Sequence, residues 1–346
     1  MEILKFLFEI SYKSPECVSE LKKLELPLII TEELIIQTKE IEGLSKFTIS
    51  LLSVFANILD KSGTDIELSK DAFVKSLAVC ICFGESAIRI PAMICLCILF
   101  FKVKDIESKE LLFTCLLKLW KKLGKEISEP TIPLCLACMY YYSEAQETCS
   151  VLFNLEEVPS KLVRHLRGNE TSIDMDFYID YCQIPIIRLV KCLSVTSEQR
   201  TCFVNKGIMQ ALESIIKANN KEIRELANNL LILYCTKCEV LIGPTAVQSL
   251  LEMVNSKDEN TIMIAIKCLN GITKQSENNA LLIKNNCIQR LIGLLSSSKQ
   301  NLVVLCSDVI AKLMQSKEGQ EQFVQNNGVA LVFPFVVILY LSYIGK

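Results

Sequence analysis

The C-terminal half of the chain repeats itself with a period of about forty residues, and this repeat restricts the fold more than any other feature. Three apolar segments align with one another: 207–216, 246–254 and 287–295. The helix predicted after each of them carries a small residue in the same column: Ala227, Ala265 and Cys306. The steps of 38 and 41 residues are therefore kept across two successive helices. Units of this length cannot bury their own apolar faces and must stack on their neighbours.

The composition agrees with a folded helical protein along nearly the whole chain. The 346 residues include 37 basic and 39 acidic residues, for a net charge of −2. This balance argues against a general nucleic-acid-binding protein, which usually has a basic excess. The chain is 51% hydrophobic and has only 12 Gly and 9 Pro, which leaves little material for disorder.

Seventeen cysteines could indicate a disulfide or metal framework, but most lie in apolar helical segments. We interpret them as small buried hydrophobic residues in a reducing compartment, and expect an intracellular protein, cytoplasmic or nuclear. Two CxxC pairs, Cys135/Cys138 and Cys235/Cys238, have the spacing of half a zinc site. Neither has a nearby histidine or a second pair at finger-like separation, so we predict no metal site and no cofactor.

Residues 1–167 show a looser version of the helical pattern. Its apolar periodicity predicts helices at 31–39, 44–59, 70–83, 86–101, 108–123 and 132–142. The N-terminal segment predicts an amphipathic helix whose apolar face contains Ile3, Phe6, Leu7 and Ile10. A polar break at 168–176 is the expected boundary, and the regular repeats occupy 177–328.

The C-terminal segment 329–346 leaves two interpretations open. It begins in register as the second helix of a fourth repeat, yet it has no charge from Val329 to Ile344. It is either a truncated repeat or a membrane-associated tail, although Pro334 and its short length weaken the second interpretation. We expect the truncated repeat, because only this interpretation explains the register.

The segment 203–234 resembles an armadillo repeat. It has a short first helix ending at Gly207, a second helix beginning at Ile208, and a third that holds the small residue Ala227. The resemblance covers residues 197–331 well and implies an all-α, right-handed α-solenoid of armadillo- or HEAT-like repeats. The first half resembles the family only as a general helical-repeat pattern.

In armadillo proteins the third helices line a groove that binds segments of other proteins. By alignment, the resemblance implies that the groove of this chain contains Glu225, Asn228, Ile232, Met263, Ile266, Asn270 and Ser307. An apolar groove with Met263 and Ile266 favours an amphipathic helix as the partner, although an extended peptide would also fit. The alternative interpretation is that these apolar residues belong to the core between the repeats. Only Asn270 lies near an asparagine position of the nuclear-import relatives, so recognition of basic nuclear signals is not expected.

The sequence contains no recognisable catalytic constellation. Its one histidine, His165, lies beside Arg164 and Arg167 in a helix that we expect to be exposed to solvent. No nucleophile or orienting carboxylate accompanies it in the sequence, and no Gly-rich phosphate loop is present. We therefore predict a non-enzymatic scaffold or adaptor, with a tail-anchored membrane protein that displays helical repeats to the cytosol as the alternative.

Overall fold

The computed structural model describes residues 2–38, 46–61, 70–102, 109–123, 131–143, 146–166 and 178–333. Throughout these ranges the regular elements are helices, and none is a β-strand. The chain forms two compact units, which we call unit 1 (Met1–Leu193) and unit 2 (Ser194–Lys346). In the described ranges, no helix is both long enough and apolar enough to cross a membrane.

Unit 1 contains eleven helices in its described ranges. They are α1 (Glu2–Lys13), α2 (Pro15–Lys23), α3 (Leu26–Gln37), α4 (Lys46–Lys61), α5 (Lys70–Phe83), α6 (Ser86–Lys102), α7 (Lys109–Leu123), α8 (Thr131–Tyr140), α9 (Gln146–Phe153), α10 (Val158–Leu166) and α11 (Ile184–Cys192). A π-helical turn, Ile179–Gln183, leads directly into α11. The helices predicted at 70–83, 86–101 and 108–123 match α5, α6 and α7 to within one residue. The predicted polar break at 168–176 lies outside the described residues.

The core of unit 1 is built from aliphatic side chains, aromatic pairs and cysteines. The rings of Phe55 and Phe73 are 4.8 Å apart, and Phe100 stacks on Tyr141 at 5.3 Å. Buried Arg89 donates from Nε to the Ile81 carbonyl and from Nη2 to the Gly84 carbonyl, at 3.1 and 2.9 Å. These bonds satisfy carbonyl groups near the end of α5, which have no partner within the helix.

The predicted apolar face of α1 is only partly covered. The side chains of Ile3 and Phe6 are exposed and those of Leu7 and Ile10 are half-buried, whereas Leu4 and Ser11 are buried. The reason is that α4 packs against the face of α1 that contains Leu4 and Ser11. Asn57 Nδ2 donates to Ser11 Oγ at 3.3 Å, and Lys61 Nζ donates to the Ser11 carbonyl at 2.8 Å.

Unit 2 contains the repeats that the sequence predicts. Its helices are α12 (Ser197–Asn205), α13 (Ile208–Ile215), α14 (Lys221–Lys237), α15 (Pro244–Val254), α16 (Glu259–Ile272), α17 (Ser276–Lys284), α18 (Cys287–Ile292), α19 (Gln300–Leu313) and α20 (Lys317–Gln325). A 3₁₀ turn, Gly293–Ser296, extends α18. Residues 328–333 are helical, and the rest of the predicted tail, 334–346, lies outside the described residues.

The small-residue column of the repeats forms the centre of the unit 2 core. Ala227, Ala265 and Cys306 are fully buried, one in each of the long helices α14, α16 and α19. The column four residues later is buried as well: Leu231, Leu269 and Ile310. Small side chains here allow adjacent helices to approach closely while the larger ones fill the space on either side.

Within a repeat of unit 2, a residue with a left-handed backbone conformation separates the first helix from the second. Gly207 has φ +85°, as expected from the sequence. In the later repeats, Asn286 and Asn327 have φ values of 56° and 58°. Gly328 follows the left-handed residue Asn327. It is packed so closely that a Cβ there would lie 2.4 Å from the Phe323 ring.

Candidate functional site

The third helices α14, α16 and α19 form the candidate partner-binding surface of unit 2. They pack side by side in that order. The Asn220 side chain caps α14 by accepting from Ile223 N at 3.1 Å, and Asp258 caps α16 by accepting from Thr261 N at 2.9 Å. Caps of this kind satisfy amide groups that have no partner within the helix, and they define where each helix begins.

The predicted groove residues differ in accessibility. Glu225 and Ser307 are exposed, and four others are half-buried: Asn228, Ile232, Met263 and Asn270. Ile266 is 0% exposed and packs in the core between helices. A partner can therefore contact Met263 at this surface but not Ile266, although both were expected to present an apolar groove.

A cleft lies between the outer faces of α16 and α19. It has a volume of about 500 Å³ and is lined by Met263, Lys267, Asn301, Val304 and Leu305. Val304 is 65% exposed, and Ile264, one residue after Met263, is 37% exposed. An apolar side chain exposed to this degree on a helix that packs on both sides is available for contact with another protein.

Comparison with known proteins tests the fold. No protein-family model matches the sequence, and no curated protein matches it. Among solved structures, a designed armadillo repeat protein matches with a TM-score of 0.42, 13% identity, and coverage of 63% of this chain and 91% of that one. An engineered protein has a TM-score of 0.50 and 15% identity, over 96% of this chain and 79% of the other.

A chain from a structural study of cadherin and β-catenin has a TM-score of 0.59 and 13% identity, over 94% of this chain and 65% of the other. That structure concerns a conserved phosphorylation switch that controls the interaction between cadherin and β-catenin. This protein has an armadillo-like helical-repeat fold. The predicted all-α solenoid is therefore confirmed.

The third helices α14, α16 and α19 expose a column of residues that was not predicted from the sequence. Asn229, Lys267 and Asp308 occupy equivalent positions in α14, α16 and α19, and all three are exposed. They lie one residue after the predicted column of Asn228, Ile266 and Ser307. The sequence contained a usable signal, because every member of the exposed column is polar, whereas the predicted column includes an isoleucine.

One exposed ion pair joins α16 to the start of α19, and a second lies within α19. Lys299 Nζ lies 2.9 Å from Glu259 Oε1, and Lys312 Nζ lies 2.9 Å from Asp308 Oδ2. Lys312 also donates to Asn270 Oδ1, which links α19 to α16. The hydrogen bond from Lys312 lowers the pKa of the Asp308 carboxyl. Lys267, in contrast, forms no ion pair with any described residue, and its charge is available at the edge of the cleft.

His165 is not part of a solvated basic patch, contrary to our expectation. Its side chain is only 6% exposed, while neighbouring Arg164 points to solvent. The burial follows from packing in unit 1, where the Tyr178 hydroxyl donates to the His165 carbonyl at 2.8 Å. The sequence around His165 could not reveal this burial, because it depends on contacts with residues farther along the chain, such as Tyr178, 13 positions away.

The cysteines lie where buried hydrophobic residues are expected. All 17 are free thiols, and most of them are buried. Across the described ranges, no group of three or more His, Cys, Asp or Glu side chains is arranged to hold a metal ion. In the CxxC pair of α14, Cys235 is buried, while Cys238 lies at the end of the helix and is half-buried.

Proposed function

We propose that this protein is a non-enzymatic scaffold or adaptor that binds a segment of another protein across α14, α16 and α19. The observation that supports this most directly is the cleft lined by Met263, Val304 and Leu305, which presents exposed apolar surface between two helices. The armadillo-like fold supports it as well, because this fold typically serves as a binding scaffold.

The chemistry of the cleft favours an amphipathic helix as the bound segment. Its apolar residues would pack on Met263 and Val304, as in other helix-in-groove interactions. A carboxylate on the same helix would pair with Lys267, whose ammonium group has no protein partner among the described residues. An extended peptide would instead need a row of amide side chains, and Asn270 already accepts a hydrogen bond from Lys312.

The experiment compares tagged full-length protein with a Met263→Glu/Val304→Glu variant in cells, with chemical crosslinking and mass spectrometry of the bound proteins. The matched control is Leu241→Glu, because Leu241 is an apolar residue of unit 2 that is 58% exposed and does not line the cleft. Circular dichroism and thermal melting verify that each variant is folded.

We expect one or more partners to be crosslinked to α16 or α19 in the wild type and in the control variant. Binding of the purified partner should weaken at least about tenfold in the double variant, because two carboxylates would be buried against an apolar surface. The Lys267→Glu variant should also weaken binding of the partner. This loss should grow as the salt concentration is lowered, because like charges then repel over a longer distance. Equal binding by the wild type and the double variant would rule out this surface.

A further inference from the structure

Three buried cysteine side chains meet in unit 1, away from the proposed cleft. Cys97 lies on α6, Cys138 on α8 and Cys182 in the π-helical turn before α11. Each of the three is 0% exposed. The Sγ atoms of Cys97 and Cys138 are 3.4 Å apart, and the Cys182 thiol is near enough to Cys97 to affect its pKa.

The close pair is formed across helices and not within the CxxC motif. Cys97 and Cys138 are 41 residues apart in the chain, whereas Cys135 is on the same helix as Cys138. A disulfide S–S bond is about 2.0 Å long, so two sulfurs in contact at 3.4 Å need only a small approach to form one. Such a bond would join α6 covalently to α8.

The environment of the three thiols distinguishes one sulfur from the other two. Burial disfavours a thiolate at Cys97, and the protonated Cys97 thiol can donate to the Leu134 carbonyl at 3.7 Å, but the neighbouring Cys138 and Cys182 thiols stabilise the thiolate and lower the pKa of Cys97. Burial and the same contacts raise the pKa of Cys138 and of Cys182. Cys97 is therefore the thiol whose ionised form has neighbouring donors, and the 3.4 Å contact places the Cys138 sulfur within reach of it for disulfide formation.

The π-helical turn that contains Cys182 is a second unusual feature of the site. π-Helical turns are rare, and many of them occur at functional sites. This turn packs against both α6 and α8, so it brings a third thiol to the pair from a separate part of the chain.

We propose that Cys97 and Cys138 are a site of reversible covalent modification, at which a peroxide oxidises the two thiols to a disulfide between α6 and α8. Hydrogen peroxide is small enough to enter during local opening of the helices. The Cys97 thiolate attacks one peroxide oxygen, which breaks the O–O bond and yields a sulfenic acid and hydroxide. The Cys138 sulfur then displaces the sulfenic hydroxyl. The two sulfurs lose two electrons in total, their two protons are taken up by the oxygens, and one peroxide becomes two water molecules.

The experiment uses full-length reduced protein treated with hydrogen peroxide under native conditions. Free thiols are blocked with N-ethylmaleimide, and the protein is digested without reduction for mass spectrometry of crosslinked peptides. Fragmentation of the wild-type peptides identifies the joined cysteines, so the result does not depend on the folding of any variant. Cys97→Ala and Cys138→Ala test the pair. Cys95→Ala and Cys135→Ala are matched controls, because these buried cysteines lie on the same two helices.

We expect the Cys97–Cys138 crosslink in the wild type and in both controls, its loss in the two test variants, and its reversal by dithiothreitol. The oxidised wild type should also melt about 5 °C or more above the reduced protein, because the crosslink restricts the unfolded chain. The proposal is wrong if both thiols remain open to alkylation after peroxide treatment and denaturation. It is equally wrong if Cys97 is joined to a cysteine other than Cys138.

Discussion

One glycine, Gly271, sets the distance between the third helices α14 and α16 of unit 2. A Cβ added to Gly271 of α16 would lie 2.2 Å from the carbonyl oxygen of Cys235 in α14. Backbone atoms cannot move aside as a flexible side chain can, so a larger residue here must displace one of the two helices. Gly271 is not required by a left-handed backbone, since it lies within a helix, but by the close approach of the neighbouring helix.

Gly271→Ala should lower the free energy of unfolding by about 1–3 kcal/mol, because the new methyl group forces α14 and α16 apart. Urea denaturation followed by circular dichroism measures the change. Gly293→Ala is the matched control, because no atom lies within 4 Å of a Cβ at Gly293 and its backbone is right-handed. The control should be neutral or slightly more stable. A Gly271 variant as stable as the control would show that the two helices are farther apart than described.

One helix that the repeat pattern leads one to expect is absent from unit 2. The repeat that contains α15 and α16 has no short first helix. Residues 239–243 take its place and have no regular secondary structure. Buried Asn278 of α17 holds this segment by donating from Nδ2 to the Val240 carbonyl at 2.8 Å and accepting from Ile242 N at 3.1 Å. It also donates to the Ile272 carbonyl at 2.9 Å, so one side chain replaces several bonds of a missing helix.

Asn278→Ala should destabilise the protein by about 2–3 kcal/mol, because it leaves a buried amide and two buried carbonyls without their partner. Hydrogen exchange should report faster exchange at Ile242 than in the wild type, as the amide loses its acceptor. Asn229→Ala, on the exposed face of α14, serves as the control and should change stability by less than about 0.5 kcal/mol. Unchanged exchange at Ile242 in the Asn278 variant would contradict the role of this side chain.

The whole molecule uses cysteine as a core residue, and this has a consequence for its stability at high pH. Burial raises the pKa of Cys268 and of Cys287 to about 12, and that of Cys306 to about 11. In the unfolded chain the pKa of these thiols is about 8.5. The folded state therefore holds more protons than the unfolded state between these values. The stability that comes from burying neutral thiols is fully present below pH 8.5 or so and is lost as the pH rises toward the folded pKa values.

Unfolding free energies measured in urea between about pH 9 and 11 should fall with pH, by up to about 1.4 kcal/mol per pH unit for each buried thiol. Thiolate absorbance at 240 nm gives an independent measure, since the folded protein should titrate at higher pH than the protein in urea. Cys287→Ala removes one titrating group and should make the decline less steep. A slope equal to that of the wild type would mean that Cys287 ionises equally in both states.

The sequence by itself determined the features that depend on neighbours along the chain. These are the helical fold, the period of the units, and the burial of the column that contains Ala227, because helix formation and nearest-neighbour stacking follow local apolar periodicity. The tertiary structure decided which side chains on each helix are covered, although the polar column that contains Lys267 also left a signal in the sequence. The tertiary structure buries Ile266 and exposes Lys267, turns Ile3 of α1 to solvent, and places Cys97 against Cys138. These outcomes depend on where a helix many residues away crosses its neighbour, and a change of one residue in that crossing moves a different side chain to the surface.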